Sequence, residues 1–536
     1  MPRIGLVSVG AIAGAMAAGA ESLRPSLTPR STVHQTLVTA AMASTGALVG
    51  SALGAALQQR NTKSRPAVRA GVLGSGAIVA VVRGSKHAKA QAASFPEWGH
   101  VDGNDFLGVG AGTAAALSVT ATSRIAIAGV GVSGRALSRR FFGPSWIWNA
   151  IVGAAIVTGT AASGRLAMKQ LKSSLSENGR EADKALVDAP DDRYVTGGPG
   201  SLVEYNSLAR EGRRFVHWRV SAEELAAAGE SEAKEPLRVF IGYDSSETLA
   251  GRVDLAMAEL ERLNAFERKH LLAICPAGSG YANSVPVEAM EFFTSGDCAS
   301  VVVQYGLLPS MFSLNLIPDA ADGYRLLLDR IRQRIAAMPS EDRPSLHLYG
   351  ESLGANIAQV ALERNPALAD ADRTTITDVD SVLFVGSPGG THLRDELADN
   401  PQVVHVDRWQ DLPANPPAGC QFWFLDHDAD PVTRFQMALA RRQPHWLSHE
   451  PRGRNIPADM KWFPILTWQQ VLLDVAYATQ AQSGVFRSLG HDYRADLTPL
   501  VAAAYRPTQA DRVMKVQGIL VKREVARDKL LADAER

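Results

Sequence analysis

Hydrophobic and polar positions change character near residue 166. Before it, apolar stretches at 4–20, 36–57, 67–82, 106–121 and 144–164 succeed one another with few charges inside them. After it, short apolar runs recur at 237–243 (LRVFIGY), 271–275 (LLAIC), 299–305 (ASVVVQY), 345–349 (SLHLY), 381–386 (SVLFVG) and 421–425 (QFWFL). Helical spacing separates several of these runs, as in 249–264 with Leu255, Leu260 and Leu263, and in 320–338 with Leu326, Leu327, Ile331 and Ile335. Near-continuous apolar strands alternating with helices predict an α/β fold, a mainly parallel sheet covered on both faces. In such folds the chemistry gathers at the carboxyl ends of the strands.

The first half calls for a different solvent. A helix needs about 20 predominantly apolar residues to cross a bilayer's hydrocarbon layer. Stretches 36–57 and 144–164 meet this, whereas the other three are diluted by Ala, Gly, Ser and Thr, which add little transfer free energy. Gly46, Gly50 and Gly54 recur every four residues, a spacing that lets helices approach closely in lipid. The pattern predicts an all-α transmembrane domain of four or five spans. A soluble Ala-rich bundle would need polar faces that 36–57, with only Ser and Thr, does not offer. Residues 1–20, with Arg3 and Ala18-Gly19-Ala20, also fit a cleaved signal peptide loosely, but four further apolar stretches favour an uncleaved first span. The basic clusters Arg60, Lys63, Arg65, Arg69 and Arg135, Arg139, Arg140 follow the second and fourth stretches. Placed in the cytoplasm, they make a multi-pass cell-membrane protein and, for five spans, lean towards an extracytoplasmic C-terminal domain. Lys86, Lys89, Arg165, Lys169 and Lys172 then fall outside as well, and one span fewer reverses the orientation.

Length and charge narrow the field. At 536 residues the chain exceeds a single hydrophobic core, and the boundaries fall at 1–165 for the membrane domain, 166–235 for a stalk and linker, 236–506 for the α/β domain and 507–536 for a charged C-terminal helix. Lys+Arg and Asp+Glu are both 55, so no basic excess exists to neutralise phosphates, and nucleic acid is excluded as a partner. Cys275, Cys298 and Cys420 lie far apart without CxxC spacing, which suits neither a disulfide framework nor a zinc site. No metal and no organic cofactor is implied.

The run 345–349 leads directly into Gly350-Glu351-Ser352-Leu353-Gly354 and then into the helix-forming ANIAQVALERN. A G-x-S-x-G between a strand and a helix is the pattern of a nucleophile elbow: the glycines allow a sharp turn that lifts the serine hydroxyl above the sheet. The turn also sets the backbone N–H of Leu353, at the positive end of the helix, where an oxyanion would form. A serine hydroxyl needs a base, and the base an orienting carboxylate, in the chain order Ser, acid, His. Asp426, Asp428 and Asp430 follow the run at 421–425, and Asp430 is preferred because Pro431 fixes its turn. Of the later histidines, His445 and His449 sit in a charged segment resembling a lid, whereas His491, in SLGHDY, lies where this fold delivers its base. Gly278 and Ser279, in the loop after LLAIC, are candidates for the second oxyanion donor, with a plain Gly-Ser turn as the alternative.

These residues resemble a known family. GESLGAN, LDHDADPV and GHDY, together with PSLTPR at 25–30, GGPGSLVEYNSLAREGRRFV at 197–216, IGYDSSET at 241–248 and EPRGRNIPADMKWFPILTWQQ at 450–470, are similar to bacterial membrane proteins of an α/β-hydrolase family with its own N-terminal membrane domain. The resemblance implies an α/β-hydrolase domain behind a helical membrane domain, and a triad of Ser352, Asp430 and His491. The chain departs from it at Ser488-Leu489, where the family often has another Gly-His, which leaves Tyr493 and its loop open. The expected activity is cleavage of an ester, of a lipid or amphiphile, with the bilayer and the ester as partners. Acyl transfer by the same triad, or a catalytically silent binding module, are the competing expectations.

Overall fold

The computed structural model describes residues 6–59, 66–95, 107–117, 169–229, 232–363, 378–479, 481–507 and 512–536. The chain forms two compact units, Met1–Lys169 with Phe435–Ala478, and Gln170–Arg434 with Thr479–Arg536.

Among its described residues, the second unit is built on seven strands: β1 (Leu237–Ile241), β2 (His270–Cys275), β3 (Cys298–Val303), β4 (Ser345–Glu351), β5 (Ser381–Val385), β6 (Val404–Val406) and β7 (Phe422–Leu425). They run in the order β1-β3-β2-β4-β5-β7-β6, and every pairing is parallel. Each residue of β1, β3, β5 and β7 is buried, as a sheet between two helical layers requires. The helix Leu249–Arg262 contributes Val253, Ala256 and Leu260 to that burial, and the helix Ile317–Ala336 contributes Leu327, Leu328 and Ile331. Six strands match the apolar runs; β6, only Val-His-Val, is too short to stand out in the sequence.

Two flanking segments join this core. Within the expected stalk and linker, Val195 pairs in parallel with Arg238 of β1, and Val203, Leu208, Phe215 and Val220 are buried against the sheet. The charged C-terminal helix Val513–Glu535 buries Val516 and Leu520, and its Arg523 and Arg527 both pair with the buried Glu288.

In the first unit, the helices Leu6–Glu21 and Thr32–Gln59 meet backbone to backbone: a Cβ added at Gly14 would lie 2.0 Å from the carbonyl oxygen of Gly46. The glycine spacing thus serves close helix contact. Among the described residues, one helix, Thr32–Gln58, is long and apolar enough to cross a membrane, where four or five were expected. Leu6–Glu21 and Leu107–Leu117 are apolar but short. Pro66–Ala93 has the length but includes Arg69, Arg83, Lys86 and Lys89, and the expected span 144–164 lies outside the described residues.

The segment 435–478, expected inside the α/β domain, belongs to this first unit. Its helix Leu466–Ala476 carries the fully buried Asp474. That carboxylate accepts from Ser26 Oγ and from the Leu27 N–H, and lies 3.2 Å from His34 Nε2 and 3.6 Å from Arg30 Nε. The PSLTPR loop, with His34 of the helix that follows it, thus surrounds one buried carboxylate with two hydrogen-bond donors, a guanidinium and an imidazole. Burial favours the acid form of Asp474, but Arg30, His34 and Ser26 outweigh it and hold its pKa below the ordinary value.

Candidate active site

β4 ends at Glu351 and the next helix starts at Leu353, so Ser352 makes the turn alone. Its φ of +56° is left-handed, a conformation that costs a residue with a Cβ about 1–3 kcal/mol and persists only where the surroundings impose it. Here they do. The Ser352 N–H donates to the Val385 carbonyl at the end of β5 at 2.8 Å, and the Ser352 carbonyl accepts from the Asn356 N–H at 3.2 Å. The flanking glycines are required by space. A Cβ at Gly354 would sit 2.2 Å from the Cys275 carbonyl oxygen, and one at Gly350 would sit 2.9 Å from the Ala355 Cα. The serine thus stands at the carboxyl end of the central strand, on the rim the topology assigns to chemistry.

Three carboxylates follow β7, and each has a different partner. Asp426 accepts the Ser387 N–H at 2.7 Å, and Asp428 pairs with Arg434 at 2.7 Å. Asp430, fully buried, places Oδ2 2.6 Å from Nδ1 of His491, while its Oδ1 accepts the Val432 N–H at 2.8 Å. Of the three, Asp430 alone meets an imidazole among the described residues. Its ring rests on Gly386, where a Cβ would come within 2.8 Å of His491 Cε1. Gly386 directly follows Val385, the acceptor of the Ser352 N–H, so the end of β5 carries both the serine turn and the imidazole. Nε2 of His491 makes no hydrogen bond among the described residues. His445 and His449 belong to the other unit and stack on each other at 3.6 Å.

The electrostatics favour a proton-accepting histidine. Burial alone would lower the His491 pKa; the Asp430 carboxylate outweighs it, with help from Glu351 and Asp426, and raises it above the ordinary 6.5. Asp426 is pushed up to about 6 by burial, against the opposing pull of Arg394 and the Ser387 N–H. Glu351, beside the nucleophile, is also raised by burial; Tyr349 Oη donates to it at 2.6 Å and Asn283 Nδ2 at 3.3 Å.

The oxyanion candidates lie on adjacent strands. Leu353 opens the helix, where N–H groups have no intrahelical acceptor. Gly278 and Ser279 follow β2, which pairs with β4 so that Cys275 lies beside Gly350. Their loop is a closed turn: the Gly280 N–H donates to the Ala277 carbonyl at 2.9 Å, and the Ala277 N–H to the Tyr281 carbonyl at 2.9 Å. The Gly278 N–H faces Ser310 Oγ at 3.5 Å, and the Ser279 carbonyl accepts from Gln304 at 2.7 Å. Among the described residues, no group of three or more His, Cys, Asp or Glu is arranged to hold a metal ion, and all three cysteines are buried and unbridged.

Sequence reasoning assigned no role to four residues here. Tyr493 donates its phenol proton to Asp430 Oδ2 at 2.6 Å. His427 braces the loop that carries His491, with Nδ1 2.8 Å from the Gly490 carbonyl and Nε2 3.0 Å from Asp496. Glu351 and Asn283 form the pair beside the serine. The GHDY and DHDADP strings held the first two in view, but no local spacing says that they meet.

A family model described as "Alpha/beta-hydrolase family" matches residues 237–515, more than half of the chain. A second, "Alpha/beta-hydrolase family N-terminus", matches residues 23–218. No curated protein and no solved structure matches the chain. The N-terminal match spans the PSLTPR loop and the helix Thr32–Gln59, and the larger match spans the whole sheet, the serine turn and the Asp430–His491 pair. This chain belongs to the alpha/beta-hydrolase family.

Proposed function

We propose that the protein is a membrane-anchored serine hydrolase that cleaves an ester through an acyl-enzyme on Ser352. One observation carries this reading: an Asp430–His491 pair 2.6 Å apart, on the strand end whose carbonyl holds the strained Ser352 turn. His491 takes the proton of Ser352 Oγ as that oxygen attacks the ester carbonyl, and Asp430 holds the ring and stabilises its charged form. The tetrahedral oxyanion is met by the N–H of Leu353 and by Gly278 or Ser279. His491 then returns the proton to the leaving alcohol, and water, deprotonated by the same imidazole, releases the acid.

The lipid or amphiphile preference rests on location. Among the described residues, one helix has the length and apolarity to enter a bilayer, and a site tethered there meets lipid esters at high effective concentration. Labelling by a fluorophosphonate probe tests the reading: the full-length protein labels and Ser352→Ala does not. Equal labelling of the two, or a folded wild type that stays unlabelled, refutes it.

A further inference from the structure

We propose that Tyr493 is a positioning residue that sets the basicity of His491 through a shared oxygen of Asp430, with His427 as its brace. The proposal rests on the reading of Ser352 as nucleophile and His491 as base.

His491 Nδ1 and Tyr493 Oη reach the same carboxylate oxygen, Oδ2, each at 2.6 Å. Oδ1 is engaged by the Val432 N–H, so the orientation of the carboxylate is fixed from three sides. The phenol oxygen also accepts the His427 N–H at 3.1 Å. With that lone pair engaged, the phenol proton points at Asp430. Burial, reinforced by Asp430 and Asp426, holds the phenol well above its ordinary titration, so it remains a donor wherever the histidine works. The ring has no freedom to leave: it is buried, stacks on His427 at 4.0 Å, and presses on Gly386, where a Cβ would lie 2.8 Å from Tyr493 Cε2. His427 in turn holds the carbonyl of Gly490, the residue before His491, and is itself held by Asp496.

The chemical consequence has a sign. A carboxylate stabilises imidazolium in proportion to the charge it presents, and a second short hydrogen bond to the same oxygen draws part of that charge away. Tyr493 therefore keeps His491 less basic than Asp430 alone would make it, and keeps more of it in the proton-accepting form near neutral pH. The other titratable groups facing the pair are Asp426 after β7, with Arg394 beyond it, Glu351 at the end of β4, His427, and Asp492 on the loop of His491 itself, paired with Arg494. Of these, His427 alone is touched by a change at Tyr493, through its backbone N–H and its stacked ring, and both of its ring nitrogens keep their partners, the Gly490 carbonyl and Asp496.

The test is the pH profile of fluorophosphonate labelling of Ser352 in the full-length protein. In Tyr493→Phe the lost donor returns charge to the shared oxygen, and the midpoint of the acid limb rises by about one pH unit. Site-specific replacement of Tyr493 by 3-fluorotyrosine, a more acidic phenol of nearly the same size, strengthens the donor and moves the midpoint down. Opposite shifts in the two variants support the proposal. A residue that only fills space would leave both midpoints at the wild-type value while lowering the rate uniformly, and that result overturns it; so does a shift of both in the same direction. The fluorinated variant keeps the test alive should the phenylalanine variant fail to fold. An unlabelled wild type overturns the reading of Ser352 and this proposal with it, whereas variants that label with unmoved midpoints overturn this proposal alone.

Discussion

Asp430→Asn puts the proposed triad under the sharpest local strain, because the structure supplies donors to both carboxylate oxygens. Oδ2 receives His491 Nδ1 and Tyr493 Oη, and Oδ1 receives the Val432 N–H. An amide has one accepting oxygen. If its NH₂ takes the Oδ2 position, it faces two donors; if it takes the Oδ1 position, it faces one. The second arrangement preserves the His491 contact at the cost of a buried donor–donor clash of about 1–3 kcal/mol. In either arrangement the negative charge opposite the imidazolium is gone. The expected loss in kcat/KM for an activated ester is about 10³–10⁴-fold, or roughly 4–5.5 kcal/mol of transition-state stabilisation. The pH profile moves as well, because the His491 pKa is raised by Asp430 over the opposing effect of burial. Without that charge the largest upward influence is gone, Glu351 and Asp426 alone oppose burial, and the acid limb shifts downward. The assay is steady-state hydrolysis of a nitrophenyl ester from pH 5 to 9, with circular dichroism to establish that the variant is folded. A folded variant within tenfold of wild type, with an unmoved limb, would refute the assignment of Asp430.

Three further outcomes are expected. In the wild type, the imidazole must be neutral to accept a proton and its pKa is raised, so the acid limb of kcat/KM should have its midpoint above 6.5, measured by the same titration. Gly386→Ala should abolish most labelling, because φ is +58° there and a Cβ would lie 2.8 Å from both His491 Cε1 and Tyr493 Cε2; retained activity would show the loop to be far softer than described. Arg238→Met should destabilise the second unit by about 3–5 kcal/mol in denaturant titration, because it strands Glu291, whose two oxygens now accept from Arg238 at 2.6 and 2.9 Å in a buried site.

Much of the sheet was legible because its signals are local. A near-continuous apolar run is a buried parallel strand wherever it lies, and Gly350-Glu351-Ser352-Leu353-Gly354 states its own turn. The meeting of Asp430 with His491 could be anticipated from chain order, since both follow the turn in the sequence this fold uses. What stayed hidden depends on distant partners. Asp474 looks like one more acid on an amphipathic helix until Arg30 and His34 close around it. For the same reason the segment 435–478 read as part of the α/β domain. Val195, Val203 and Phe215 are scattered singly among polar residues and short turns, so the stretch they occupy resembled a linker although it buries them. Of the expected spans, one helix among the described residues has the length and apolarity of a crossing; Ala and Gly look apolar in a pattern but contribute little to transfer into lipid, so the pattern alone does not count spans.

The central claim is a covalent one, and a single measurement reaches it. A rapid-quench reaction of the full-length protein with an activated ester, followed by intact-mass and peptide mass spectrometry, should find one acyl group, located on the peptide containing Ser352 and absent in Ser352→Ala. An acyl group on any other residue, or turnover with no acylated species at any quench time, would contradict the account.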